Sequence, residues 1–131
     1  MAADYAFRAR LDVPYEKALE KVEAALKAQG FGILTAVDMK STLKEKLNAE
    51  FRKYSILGVC NPPLAQRALA DDLDAGLVLP CTVVVHEDQG GSVVTIANPL
   101  SVVGLLGNPD LQPIAQEAQT KLKQALAMLA D

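Results

Sequence analysis

Two kinds of hydrophobic spacing alternate along the first part of the chain. Apolar residues occupy every second position over residues 5–13, which is typical of a half-buried strand. Over residues 15–26 they recur every three or four positions, which indicates an amphipathic helix. Pro14 suits the first position of that helix and Gly30 its end. The chain therefore begins with a strand followed by a helix.

The same order of elements repeats downstream. Residues 31–37 alternate as a second strand, and Asp38 is a suitable cap for a short helix over residues 39–47. Residues 51–60 have apolar side chains on both faces, so we expect a third strand that is covered on both sides. Within it, Gly58 allows a neighbouring group to approach the backbone closely.

A proline-started helix and a hairpin follow the third strand. Asn61 is a good N-cap before two prolines, which predicts a helix from about Pro62 to Ala70. Residues 78–87 and 92–98 are rich in β-branched side chains and flank a glycine-containing turn, so they should pair as a hairpin.

The spacing of the hairpin fixes its expected register. Counting back from Glu87 opposite Ser92 places Val85 opposite Val94, Val83 opposite Ile96 and Cys81 opposite Asn98. Beyond Pro113 the apolar residues return to helical spacing, so we expect a final amphipathic helix there.

These elements predict a single α+β domain over residues 1–131. We expect a mixed, largely antiparallel sheet of about five strands with helices packed mainly on one face. Leu34, Leu57 and Val59 fall on strand faces that the predicted helices do not obviously cover. A second copy of the chain would cover them, so we expect a homodimer, with burial by the short helices as the alternative.

The charge balance and the N-terminal residues narrow the partners and the compartment. The net charge of -3 lacks the basic excess that nucleic-acid binding requires. Asp4 and Arg8 interrupt the apolar stretch that a secretory signal needs, and no apolar stretch reaches the roughly 20 residues of a membrane span. We therefore expect a cytoplasmic protein without nucleic-acid or membrane partners, whose two cysteines are reduced thiols.

The most informative candidate site contains the two cysteines. Cys60 directly precedes Asn61 at a predicted helix start, where unpaired amides and the helix dipole favour thiolates and anions. Cys81 would lie near Asn98 at the open end of the hairpin. Both cysteines also suit a buried apolar position. A reversible pair would require Cα atoms within about 7 Å of each other.

Other side chains add little chemistry to this site. Lys40 and Lys44 lie one turn apart and could hold an anion, although such residues also form ordinary solvated helix faces. His86 falls on the strand face opposite Cys81, so the thiols have no aligned base. We expect no metal, since two cysteines and one histidine do not supply a zinc-ligand pattern, and we expect no cofactor.

Two segments carry a resemblance to a known family. The segments Ile56-Leu57-Gly58-Val59-Cys60-Asn61-Pro62-Pro63-Leu64-Ala65 and Leu79-Pro80-Cys81-Thr82-Val83-Val84-Val85 resemble the family catalogued as domain of unknown function 302. Residues 37–47 and the turn at residues 30–32 are similar to further blocks of that family. The resemblance implies a compact, homodimeric α+β fold in small bacterial or archaeal proteins, without an established activity. Gln66 and Arg67 stand where that family often has a histidine or another polar residue.

Three functions remain open from the sequence. The first is a homodimeric module that binds a small anionic or thiol-reactive ligand near Cys60, Asn61, Cys81 and Asn98, without turnover. The second is a thiol-dependent redox enzyme that uses Cys60. The third is a structural or protein-interaction domain with both cysteines in its core. The lack of a histidine aligned with the thiols makes the second function, a thiol-dependent enzyme, less favoured.

Overall fold

The computed structural model describes residues 5–129. Five strands and five helices follow one another along the chain: β1 (Ala6–Leu11), α1 (Tyr15–Ala28), β2 (Gly32–Asp38), α2 (Met39–Leu47), β3 (Tyr54–Cys60), α3 (Pro62–Asp71), β4 (Cys81–Asp88), β5 (Gly91–Ala97), α4 (Pro99–Gly104) and α5 (Gln112–Leu129). Short 3-10 segments lie at Leu73–Val78 and Pro109–Leu111.

The strands form one antiparallel sheet. Their spatial order is β1-β5-β4-β3-β2, and all four pairings between neighbours are antiparallel. The predicted α+β class with five strands is therefore confirmed, and within residues 5–129 the sheet is wholly antiparallel and not mixed. The central strands β5, β4 and β3 are paired on both sides, while β1 and β2 form the edges.

The hairpin has the register that its sequence predicts. Val85 lies opposite Val94, Val83 opposite Ile96 and Glu87 opposite Ser92. The ladder between β4 and β5 ends at the Val83–Ile96 pair, so the expected pair of Cys81 with Asn98 does not form part of it. The predicted start of this arm at residue 78 is wrong, because residues 73–78 form a 3-10 segment and β4 begins at residue 81.

Capping residues set the helix boundaries. The Asp38 side chain accepts a hydrogen bond from the Ser41 amide at 3.0 Å and starts α2. Past the end of α1, Gly30 adopts a positive φ of 84°, a conformation that glycine tolerates without steric cost. The predicted caps at both positions are confirmed. Helix α4 was not expected, since Asn98-Pro99 is also typical of a turn that ends a strand.

The main core lies between one face of the sheet and the helices α1 and α5. Val59, Val83 and Val85 from the central strands are fully buried against this helical layer. Leu57 is also buried there at 3% exposure, so the expectation that Leu57 and Val59 need cover from outside the chain is wrong. Leu34 on edge strand β2 remains 65% exposed.

The opposite face of the sheet is less covered. Alternation along the strands places Ile56, Val84 and Val93 on this face, where each is only partly buried. We call it the open face. Among the helices described within residues 5–129, none is long and apolar enough to cross a membrane.

The contribution of helix α5 to the core can be tested at Leu122, which is fully buried. Leu122→Ala removes apolar contacts and leaves a cavity under the helix, so we expect the free energy of unfolding to fall by about 2–5 kcal/mol. Leu105→Ala is the matched control, because Leu105 is 82% exposed and should change stability by less than about 0.5 kcal/mol. Urea unfolding followed by circular dichroism measures both, and equal effects would contradict this description of the core.

Candidate functional site

The candidate site lies at one end of the strands, where three strand ends meet, and we call this end of the sheet the strand-end edge. Strand β3 ends at Cys60, β4 begins at Cys81 and β5 ends at Ala97. Because neighbouring strands are antiparallel, these ends lie at the same edge. Helices α3 and α4 start directly after β3 and β5, so they flank this edge as well.

A small, partly open cavity of about 40 Å³ lies at this edge. Cys60, Asn61 and Cys81 border it, together with mainly aliphatic side chains from α3, α4 and α5. The structure therefore brings together three of the residues that the sequence analysis selected. A space of this size is enough for a water molecule.

A larger groove opens next to the cavity, on the open face. Its volume is about 350 Å³. Residues 77–80 and helix α4 wall the groove, and Ile56 and Gly58 from β3 lie along its floor. Cys81 borders both the cavity and the groove, whereas Cys60 borders the cavity alone. None of the described residues that line the groove is charged at neutral pH.

Gly58 shapes the floor of this groove. A Cβ atom built at this position would lie 2.8 Å from Cγ of Pro80 and would also overlap the Thr35 hydroxyl. The expected close approach to the Gly58 backbone is confirmed, and the approaching groups are Pro80 and Thr35. Any side chain at residue 58 would push the 77–80 wall outward.

Both thiols are less acidic than an ordinary thiol, although Cys60 lies just before a helix. Burial raises the pKa of the Cys60 thiol above its ordinary value. Burial, and in second place the nearby charge of Cys60, raises the pKa of the Cys81 thiol to about 11. This direction is opposite to the expected lowering of the Cys60 pKa, and its cause is the loss of hydration.

The two asparagines of the candidate site are occupied with helix capping. Oδ1 of Asn61 accepts a hydrogen bond from the Leu64 amide at 3.4 Å, and its Nδ2 donates to the Gln29 carbonyl at 3.3 Å. Oδ1 of Asn98 accepts from the Leu100 amide at 3.1 Å and from the Gln119 side chain at 3.2 Å. Both side chains thus hold the ends of elements in place beside the site.

Lys40 and Lys44 lie at the opposite end of the sheet. Helix α2 begins after Asp38, which pairs with Ser55 near the start of β3, while Cys60 is at its end. The length of that strand separates the two regions by roughly 20 Å. Lys40 donates to the Phe51 carbonyl at 3.0 Å, and Lys44 forms an ion pair with Glu50 at 2.8 Å. The structure does not bring these lysines to the cysteines.

His86 also lies away from the thiols. It sits on the open face beside Tyr54, with the two rings stacked at a centroid distance of 5.5 Å. Within residues 5–129 no group of three His, Cys, Asp or Glu side chains is arranged to hold a metal ion. The edge therefore presents two protonated thiols and apolar surface, without an adjacent general base.

Sequence reasoning missed the walls of the groove. Val102 and Val103 belong to the short helix α4, whose six residues are too few to show a helical period. Leu77, which the sequence analysis did not single out, also lines the groove and is 79% exposed. The usable signal was Gly58, which indicated that another group closes over this position.

Comparison with known proteins agrees with this architecture. The family model described as "Domain of unknown function DUF302" matches residues 7–129. The chain belongs to the DUF302 family. A crystal structure of an uncharacterized conserved DUF302 protein from Bacillus stearothermophilus is similar, with 30% sequence identity and a TM-score of 0.88, covering 95% of this chain and 98% of that one. No curated protein matches the chain. The DUF302 resemblance seen in the sequence is thereby confirmed.

The raised pKa of Cys60 in this DUF302 chain predicts slow alkylation. In Cys81→Ser, which leaves Cys60 as the only thiol, the rate of modification by iodoacetamide should keep rising above pH about 8.5, where an ordinary thiol is half ionised. Mass spectrometry across a pH series measures the rate, and the same protein unfolded in urea is the control. An apparent pKa below that of the unfolded control would restore the helix-dipole explanation.

Proposed function

We propose that this DUF302 protein is a binding module, without catalytic turnover, for a small neutral and largely apolar molecule. The observation that carries the proposal is the groove of about 350 Å³ at the strand-end edge. This volume lies within the ordinary range for small-molecule sites, which are mostly apolar with a few polar groups. Thr35 and Thr82 supply such polar groups along the groove.

The chemistry of the lining favours a neutral ligand over an anionic one. An anion in an apolar groove loses hydration, and no described lining residue offers a positive charge to compensate. The lysines considered from the sequence are at the other end of β3 and already bonded. By contrast, a neutral apolar ligand that removes the apolar walls from water lowers the free energy of the complex.

The same surroundings weigh against an enzyme. Catalysis by a thiol requires a thiolate and usually a neighbouring base. Burial raises the pKa of both thiols, and His86 lies on the open face beside Tyr54. A thiol-reactive ligand would thus meet mainly the protonated form of Cys81. Binding without covalent chemistry agrees best with these features.

A matched pair of fluorescent probes tests the proposed ligand class. N-phenyl-1-naphthylamine is neutral, and 8-anilino-1-naphthalenesulfonate carries a sulfonate on the same ring system. We expect saturable binding of the neutral probe at one site per chain and weaker binding of the sulfonate. Fluorescence titration measures both affinities. Tighter binding of the sulfonate would contradict the preference for a neutral ligand. If neither probe shows saturable binding, the proposal that the protein is a binding module is wrong.

A pair of leucine variants tests the location. Leu77 borders the groove and is 79% exposed, whereas Leu105 is 82% exposed and does not border it. Leu77→Asp places a charge beside the apolar ligand and should weaken binding of the neutral probe by about tenfold. Leu105→Asp should leave the affinity unchanged. Equal effects of the two variants would exclude the groove as the site.

We propose further that the protein forms a homodimer through the open face. The partly buried apolar side chains of Val84 and Val93, which do not line the groove, support this proposal, because α1 and α5 cover only the other face. A second copy would remove these two side chains from water.

A charge in the centre of the open face should separate the subunits. Val84→Lys would bury an ammonium group in the interface, so we expect the dimer dissociation constant to rise by tenfold or more, at a cost of about 1.4 kcal/mol per factor of ten. Light scattering after gel filtration measures the mass, with Ala127→Lys on the exposed side of α5 as control. A monomeric parent protein, or a dimer in which Val84→Lys has no effect, would contradict this interface.

A further inference from the structure

We propose that Cys60 and Cys81 form a reversible disulfide that regulates the groove, an inference that rests on the proposed binding function. Both cysteines are free and half-buried in the structure. In the proposed binding, Cys81 only lines the groove and Cys60 only borders the adjacent cavity. The sequence contains no other thiol. The disulfide would give this pair a function that neither residue has alone.

The register of the sheet brings the two backbones close together. Cys81 lies opposite Val59 in the ladder between β3 and β4, and Cys60 is the next residue along β3. Opposed Cα atoms lie about 4.5–5.5 Å apart and one strand step adds about 3.4 Å, so the Cα atoms of the cysteines are about 6 Å apart. Disulfides span Cα distances of about 4.4–6.8 Å. The distance therefore meets the condition for a pair.

The bond requires a local change at the end of β3. Strict alternation would direct the side chains of Cys60 and Cys81 to opposite faces of the sheet. Cys60 is the last residue of β3, however, and both cysteines border the same cavity. Turning the Cys60 side chain into that cavity gives up the pairing of Cys60 with Gly32 on β2. The ladder between β3 and β4, which ends at the Val59–Cys81 pair, stays intact.

The chemistry needs a low-molecular-weight disulfide as oxidant. The Cys60 thiolate attacks one sulfur of that disulfide, forms a mixed disulfide and releases the other half as a thiolate. Cys81 then loses its proton to water and attacks Sγ of Cys60, which releases the second half as a thiol after it takes up a proton. Two protein thiols are oxidised, and one small disulfide is reduced to two thiols.

The order of these steps follows from the two environments. The pKa of Cys81 is raised to about 11, so little thiolate is present there at neutral pH. Cys60 is the residue at which the small disulfide attaches first. Cys81 reacts second, when the mixed disulfide lies beside it and the effective concentration is high.

The bond would act on the groove through a shared wall. Cys81 borders both the cavity and the groove, and Leu79 and Pro80 directly before it form the groove wall. A cross-link to Cys60 fixes this wall from the cavity side. Because the cross-link changes how far this wall can adapt to a bound molecule, oxidation should change the affinity for N-phenyl-1-naphthylamine by about threefold or more.

Oxidised glutathione at mildly alkaline pH tests the bond, with intact mass and thiol titration as readouts. The parent protein should lose two hydrogen atoms, carry no adduct and keep its monomer mass under denaturing, non-reducing conditions. Cys81→Ser should retain one glutathione on Cys60, and Cys60→Ser should remain unmodified over the same time. Lasting adducts on the parent protein, or disulfides between two chains, would overturn the proposed pair.

The probe titration separates this inference from the proposed function. A disulfide that forms without changing the affinity for the neutral probe would overturn the regulation and leave the binding function standing. If the reduced protein binds no probe, the binding function fails, and with it the regulation, while the mass measurement still decides whether the pair forms. Cys60→Ser treated with oxidised glutathione is the control, because its affinity should not change.

Discussion

The packing of helices α1 and α5 on a single face of the sheet is the constraint on which the rest of this structure depends. The central strands bury Val59, Val83 and Val85 against the two helices, and burial of such side chains contributes about 1.5–3 kcal/mol each relative to exposure. Once these helices occupy one face, the other face keeps apolar side chains without a helical layer. The open face and its groove are consequences of that one-sided arrangement.

The constraint also determines the chemistry at the strand-end edge. Because the core continues to the ends of β3 and β4, Cys81 packs against it and both half-buried thiols border a mainly aliphatic cavity. The loss of hydration then raises their pKa values, despite the helix that starts after Cys60. The same burial makes the edge a poor place for an anion and a suitable one for an apolar molecule.

Local patterns predicted much of this fold. The alternation of apolar residues located the strands, and Asp38 and Asn61 marked helix starts, because a capping side chain acts on residues only three positions away. The hairpin register followed from counting along its two arms. Such features depend on short-range geometry, which a single sequence carries.

The rest depends on contacts between distant residues. Which face of β3 meets the helices could not be derived, because both faces carry apolar side chains and the alternation treats them equally. The groove could not be predicted, because Pro80, Val102 and Gly58 come from separate segments that meet only in the folded chain. The direction of the thiol pKa shifts was missed for the same reason, since burial is a property of the whole fold.

Asn61 joins two parts of the chain that otherwise have separate roles. Its Oδ1 caps the start of α3, and its Nδ2 donates to the Gln29 carbonyl at the end of α1. The same side chain lies close to the Gly30 backbone. A Cβ atom at Gly30 would lie 3.1 Å from the Asn61 amide nitrogen. Residues 30 and 61 therefore constrain each other, because a substitution at either one alters the space or the hydrogen bonds that the other requires.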